Sequence, residues 1–185
     1  VAYSHKAVNP STCIIDVLKN LKQLRLDSGS KNFQPSNLEI TKINIDNKAD
    51  NVIPGDAHAT FNIRFNDKHS SNKLKKKINI YLRKICKKYK CKFKIEYMIS
   101  GESFITKPNK TTYMIRDIIK KNTKRNTKLS TSGGTSDARF IRKISPCLEF
   151  GMVGASMHQV DENIKVSDLK TLTKIHKEIL ENYFS

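Results

Sequence analysis

Residues 57–65, AHATFNIRF, alternate strictly between apolar and polar side chains, and this pattern predicts a half-buried β-strand. The apolar positions share one face, which we expect to meet a hydrophobic core. The opposite face carries His58, Thr60, Asn62 and Arg64, which we expect to meet water or a partner. A fold that contains this strand must therefore cover one face of a sheet and leave the other face open.

The segments around this strand predict a complete small domain. Residues 1–3 are typical of the end of a strand, and Asn9 followed by Pro10 is typical of a helix start. A further strand is predicted at LEITKINI, a second helix over residues 70–88, and a last strand over residues 91–99. The order β-α-β-β-α-β predicts a ferredoxin-like domain over residues 1–100, with both helices on one face of the sheet.

Residues 101–185 have a different pattern, with predicted helices near 110–122, 136–142 and 167–183 and short strands near 128–131 and 146–151. Two short strands and two longer helices bury too little apolar surface for an independent α/β core. We therefore interpret this half as the last part of a larger layered domain. The fold class predicted for the chain is mixed α+β and α/β, with domains 1–100 and 101–185, the second one incomplete.

Composition limits the possible partners. The net charge is +18, but the densest lysine run lies in the predicted helix 70–88, where it forms a solvated face, so no nucleic-acid partner is expected. The absence of a long apolar stretch predicts a soluble chain with no membrane partner.

Four cysteines without a Cys-x-x-Cys pair are typical of free thiols in a reducing cytoplasm. The chain begins with Val1 rather than Met, so we expect it to be a piece of a longer protein.

Two loops carry residues suited to binding. In STSGGTSDARF, residues 130–140, Gly133 and Gly134 allow a ligand to approach the backbone, and Thr135 and Ser136 add hydroxyl groups. Such a loop before a helix favours an anion such as a carboxylate, although a plain strand-to-helix turn has the same composition. His158, in a loop after an apolar strand, is typical of a metal ligand, a base or a surface residue.

Arg64 on the polar face of strand 57–65 is suited to bidentate carboxylate binding or to an interface salt bridge.

Five segments occur in an order that resembles the succinyl-diaminopimelate desuccinylases, a family of di-zinc amidohydrolases and metallopeptidases related to acetylornithine deacetylase. The segments are VAYSHKAVNP, DNVIPGDAHATFNIRF, YMISGESFIT, STSGGTSDARFI and GASMHQVDENIKVSDL. The resemblance covers essentially the whole chain. It implies a lid domain that forms a homodimer, followed by the C-terminal part of a catalytic domain. The implied activity is hydrolysis of N-succinyl-diaminopimelate to diaminopimelate and succinate in lysine and cell-wall biosynthesis, in the cytoplasm.

The resemblance also implies roles for single residues. His158 matches a zinc ligand, in a family whose active site holds two zinc ions and in which cobalt is a possible substitute. Gly134 and Thr135 match the loop that holds a substrate carboxylate. Arg64 and Ser100 match lid groups that bind the other polar end of the substrate. Tyr3 and Asn51 match lid residues that reach a substrate site, Asn51 in the active site of the partner subunit.

The sequence also differs from the family at positions that the family uses for catalysis and metal binding. The other metal ligands and the glutamate base of the family have no counterpart here, His5 is not the catalytic lid histidine, and Gly154 stands where Asn is frequent. No catalytic residue is therefore assigned, and we expect the chain alone to be inactive. Two alternatives stay open, a stand-alone dimerisation or binding module without catalysis, and a deacylase acting on another acylated amino acid, such as acetylornithine deacetylase.

Overall fold

A computed structural model describes residues 2–133, 136–152 and 154–185. The chain divides into two compact units, Val1–Ser103 and Phe104–Ser185. The structure has the mixed helical and sheet composition that the sequence predicts. The roles of lid and catalytic domain, assigned to residues 1–100 and 101–185, stay predictions.

Helix α1, Pro10–Gln23, begins where the sequence predicts. The Asn9 Oδ1 atom accepts hydrogen bonds from the Ser11 and Thr12 backbone N–H groups at 3.0 and 3.4 Å, and Pro10 occupies the first helical turn. These contacts satisfy N–H groups that have no partner within the helix. The buried side of α1 carries Cys13, Val17, Leu18 and Leu21.

Strands β1, Asn37–Asn44, and β2, His58–Arg64, form an antiparallel two-stranded sheet. Leu38 pairs with Ile63 on the core face, and Asn37 pairs with Arg64 at the end of β2. The predicted alternation of β2 is confirmed, because its residues alternate between exposed and half-buried. Arg64 is exposed, as expected for the polar face.

Helix α2, Ser71–Lys88, is the second long helix of the first unit. Its start is capped by the Ser70 Oγ atom, which accepts a hydrogen bond from the Lys73 N–H at 3.4 Å. The core that α2 shares with α1 and the sheet is built around Leu21 and Ile78, which are 0% and 1% exposed. The lysines of α2 mostly point to solvent, so the interpretation of the lysine run as a solvated helix face is confirmed.

Two strands predicted in the first unit are not formed. Tyr3 precedes a short 3-10 turn, Ser4–Lys6, and Val1 lies outside the described residues. In residues 91–99, Cys91 and Ile95 pack against the core. The other residues of the predicted apolar face, Phe93, Tyr97 and Ile99, are 36%, 38% and 44% exposed, so the predicted alternation is seen only in part. Among the described residues this segment has no ladder with a strand. Instead the Tyr97 hydroxyl accepts a hydrogen bond from the Asn79 side chain at 2.9 Å, which fastens the segment to α2.

The second unit contains α3, Lys110–Thr123, the short α4, Ala138–Ile141, and α5, Val166–Phe184. Its buried cluster joins Ile118 and Ile119 of α3 to Ile175 of α5. The prediction that Leu169 and Leu180 face inward is wrong, because these residues are 50% and 58% exposed. The strands predicted near 128–131 and 146–151 are not formed, because among the described residues neither segment has a neighbouring strand with which to pair.

Charged side chains add to the contact between α3 and α5. Lys121 Nζ lies 2.5 Å from Glu178 Oε1, and the Asn122 side chain donates to Glu178 Oε2 at 2.8 Å. Both contacts lower the pKa of Glu178 below its ordinary value. Among the described residues, no helix combines the length and apolar content that crossing a bilayer requires.

Candidate functional site

The predicted site residues fall in both compact units, and each group is described within its own unit. In the first unit these are Tyr3, Asn51, Arg64 and Ser100, all of them exposed. In the second unit the described candidate is His158. Gly134 and Thr135, predicted to hold a carboxylate, lie outside the described residues.

A buried polar network begins at Asn66, two residues after Arg64 at the end of β2. Asn66 is 3% exposed, and its side-chain amide donates to Asp27 Oδ1 at 2.6 Å and to the Gln34 carbonyl at 3.0 Å. The Asn66 backbone N–H donates to Ser36 Oγ at 3.1 Å. The end of β2 that carries Arg64 is therefore tied to the loop that follows α1.

Asp27 is the centre of this network. Its carboxylate also accepts hydrogen bonds from the Gly29 N–H at 2.6 Å and the Ser36 N–H at 3.3 Å, and it lies 3.0 Å from His69 Nε2. Burial raises the pKa of Asp27, but the hydrogen bonds from Ser36, Gly29 and Asn66 outweigh burial, so the pKa lies well below its ordinary value of 3.8. Asp27 is thus held as a carboxylate.

Sequence reasoning missed this network. Asp27 stands in a Gly/Ser-rich loop, Asn66 stands just after a strand, and 39 residues separate them. Their residue types are common in turns, so only the local turn signal was present in the sequence.

Tyr3 and Asn51 lie in turns. Tyr3 is 70% exposed, and the Lys6 ammonium lies 5.4 Å from the centre of its ring. Asn51 lies in a turn closed by two hydrogen bonds, from the Val52 N–H to the Ala49 carbonyl at 3.3 Å and from the Asn47 side chain to the Val52 carbonyl at 2.7 Å. Both side chains are accessible to a ligand or a partner.

Ser100 lies two residues before Glu102, which contacts the start of α2. The Glu102 carboxylate accepts hydrogen bonds from the Ser71 N–H, with both oxygen atoms at 3.2 Å. A carboxylate at a helix N-terminus is favoured by the helix dipole. This contact fastens the segment that carries Ser100 to α2.

His158 occupies an unusual backbone conformation. Its φ angle is +62°, in the left-handed region that residues other than glycine seldom adopt, and its side chain is exposed. The His158 N–H donates to Glu162 Oε2 at 3.4 Å. Residues held in this region are frequent at binding and catalytic sites, which adds a second observation to the sequence-based candidacy of His158.

The loop with the glycine pair is described only in part. Gly133 has a φ of +128°, which an L side chain would strain, so the glycine is required there. The helix predicted near residues 136–142 is shorter in the structure, where α4 begins at Ala138 and ends at Ile141. The Ser136 Oγ atom does accept a hydrogen bond from the Ala138 N–H, at 3.2 Å.

Possible metal ligands are scattered among the described residues. Within the part of the chain that the structure describes, no three His, Cys, Asp or Glu side chains come together in a group that could hold a metal ion. His158 is therefore a single candidate ligand, whereas zinc sites in proteins take three or four protein ligands.

Comparison with known proteins finds similarity over the first unit and over the whole chain. Residues 1–90, which include α1, α2 and the sheet, match the family model described as peptidase dimerisation domain. Over its whole length the chain is similar to proteins named succinyl-diaminopimelate desuccinylase. It is 65% identical over 184 residues to the protein of that name from Pelagibacter ubique (strain HTCC1062), covering 100% of this chain and 48% of that protein.

Two further relatives carry the same name. The Maricaulis maris (strain MCS10) protein is 44% identical over 184 residues, and the Bradyrhizobium diazoefficiens protein is 46% identical over 185 residues. Each match covers 100% of this chain and 47% of the relative. The resemblance predicted from the motifs is confirmed, and the chain spans about half the length of the relatives it matches.

Proposed function

We propose that this chain is the lid and the C-terminal catalytic portion of a succinyl-diaminopimelate desuccinylase. The reaction of the whole enzyme is hydrolysis of the succinyl amide, in which N-succinyl-diaminopimelate and water give diaminopimelate and succinate. The observation that carries the proposal is the identity of 65% to the Pelagibacter ubique relative over the full length of this chain. The chain alone lacks the rest of the site and has no turnover of its own.

The site residues keep the roles that the resemblance implies. His158 is one ligand of a zinc site whose other ligands lie outside this chain, and cobalt is a possible substitute. Gly134 and Thr135 hold one carboxylate of the substrate, and Arg64 with Ser100 binds its other polar end. The exposure of Arg64 supports its role, because a guanidinium must be reached by the carboxylate it binds.

The first unit is proposed as the lid that forms a homodimer, and the match of residues 1–90 to a peptidase dimerisation domain supports this. Tyr3 and Asn51 would then reach substrate sites, Asn51 in the partner subunit. In the assembled enzyme, residues 91–99 complete the ferredoxin-like sheet as a further strand. The free thiols of Cys13 and Cys86, 3.8 Å apart, fit a cytoplasmic location.

A chimaera tests the proposal. This chain would replace the matching segment of the Pelagibacter ubique relative, and succinate release would be assayed with N-succinyl-diaminopimelate and with N-acetylornithine. We expect succinate release at a rate within about tenfold of the parent, since the replaced residues are mostly identical. Preference for acetylornithine would instead identify a related deacylase, and a folded, dimeric chimaera that hydrolyses neither would contradict the proposal.

A second candidate is a stand-alone dimerisation module. It is favoured by two observations, the match of residues 1–90 to a dimerisation domain and the lack of a metal-binding group among the described residues. A folded dimeric chimaera without activity would support this candidate.

A further inference from the structure

The loop that carries His158 is closed by one hydroxyl group. The Ser156 Oγ atom donates to the Asn163 carbonyl at 2.9 Å and accepts from the Asn163 N–H at 2.9 Å. A single side chain thus satisfies both main-chain polar groups of a residue seven positions away. Because main-chain groups of Asn163 are the partners, the closure depends on the hydroxyl at position 156 rather than on the side chain at position 163.

Within this closed loop the backbone turns sharply. The Met157 N–H donates to the Gly154 carbonyl at 3.3 Å, and the Gln159 N–H donates to the Ser156 carbonyl at 3.0 Å. His158 and Asp161 both have left-handed backbone, with φ of +62° and +57°. Such residues persist only where the surroundings hold them, since the conformation costs free energy outside glycine.

The entrance to the loop leaves little room. A Cβ atom at Gly154 would lie 2.9 Å from the Met157 Cβ atom and 2.6 Å from its Cε atom. Gly154 and Met157 therefore pack closely just before His158. The turn is fixed at its start by this packing and at its end by the Ser156–Asn163 closure.

We propose that Ser156 is the positioning residue of His158. Its hydroxyl closes the loop 156–163 and holds His158 in the left-handed conformation, which sets the direction in which the imidazole leaves the backbone. This inference rests on the proposed function, because the direction matters only where His158 is a ligand. Ser156 thus acts on the site through His158 and not by contact with substrate.

The test is a nuclear magnetic resonance measurement on the 185-residue chain. A left-handed residue gives a strong intraresidue cross-peak between its amide and α protons, because these protons are close at positive φ. We expect the cross-peak for His158 in the wild-type chain and in Ser156→Thr, which keeps the hydroxyl. In Ser156→Ala we expect it to weaken and the Asn163 amide to exchange with solvent about tenfold faster.

The matched control is Ser145→Ala in the same unit, because the Ser145 hydroxyl contacts only the neighbouring Pro146 carbonyl, at 3.4 Å, among the described residues. This control should leave the His158 cross-peak and the Asn163 exchange unchanged. If Ser156→Ala keeps both readouts, or if Ser156→Thr loses them, the inference is wrong. Should the Ala variant not fold, an unprotected Asn163 amide in the wild-type chain would equally overturn it.

The failure of this inference and that of the proposed function can be told apart. In the chimaera, Ser156→Ala should weaken zinc retention about tenfold, as is usual for residues that orient a ligand, and Ser156→Thr should restore it. If His158→Ala leaves zinc retention unchanged, the proposed role of His158 fails, whatever the loop does. If His158→Ala abolishes retention and Ser156→Ala does not change it, only the positioning role fails.

Discussion

His69 Nε2 lies 3.0 Å from Asp27 Oδ2, and the two side chains are only 15% and 6% exposed. This pair joins the segment after β2 to the loop after α1. Since Asp27 also accepts a hydrogen bond from Asn66, the pair belongs to the network that fixes the end of β2, where Arg64 stands.

Replacing Asp27 by Asn should destabilise the chain by about 2–3 kcal/mol, because an amide cannot accept all the hydrogen bonds that the buried carboxylate receives. Urea unfolding of the 185-residue chain measures the change. The control is Glu39→Gln, which alters an exposed ion pair with Lys22 and should have a much smaller effect. Equal effects of the two changes would show that the network is not structural.

The contribution of Asp27 should depend on pH. Its pKa in the folded chain lies below the ordinary 3.8, so the stabilisation is fully present above that value and is lost as the pH falls through the folded-state pKa. The stability difference between wild type and Asp27→Asn should therefore be constant near neutral pH and shrink below about pH 4. A difference that stays constant down to about pH 2 would contradict this assignment.

Gly29→Ala should destabilise the same loop. Gly29 has a φ of +84°, and an added Cβ atom would lie 2.8 Å from the Phe33 carbonyl oxygen. We expect a loss of about 2 kcal/mol in the free energy of unfolding. Gly55→Ala is the matched control, since nothing lies within 4 Å of its added Cβ atom. Unfolding curves that coincide for the two variants would exclude a strained turn at Gly29.

The cysteines should differ in reactivity. Burial, followed by contact with Cys91 and Cys86, raises the pKa of the Cys13 thiol to about 12, and burial also raises the pKa of Cys86. Cys91 and Cys147 are only partly buried. A disulfide reagent at about pH 8 should therefore label these two thiols first and reach Cys13 only on unfolding. Mass spectrometry of timed samples gives the order, and early labelling of Cys13 would contradict the described core.

Local signals were predicted well from the sequence. Asn9 and Pro10 start α1, and the alternation of β2 gives the face on which Arg64 lies, because both depend on residues a few positions apart. The Asp27–His69 and Ser156–Asn163 contacts could not be predicted in this way. The first joins two polar side chains 42 positions apart, and the second joins the Ser156 hydroxyl to the main chain of Asn163, seven positions away. Only the folded chain brings these groups near each other.

Periodicity also has a limit that two elements show. Residues 91–99 alternate as a strand does, but without a neighbouring ladder they remain irregular. In α5, Ile175 is buried while Leu169 and Leu180 of the same apolar face are exposed. A periodic pattern identifies a face of an element, but it does not identify which neighbour covers that face.

The proposed function makes His158 one ligand of a zinc site whose other ligands lie outside this chain. Zinc retained after dialysis, measured by atomic emission for the chimaera, for its His158→Ala variant and for the 185-residue chain, tests the claim most directly. We expect full zinc and succinate release for the chimaera, loss of zinc and activity for the variant, and little retained zinc for the chain alone. Full zinc in the His158→Ala variant, or tightly held zinc with turnover in the chain alone, would contradict it.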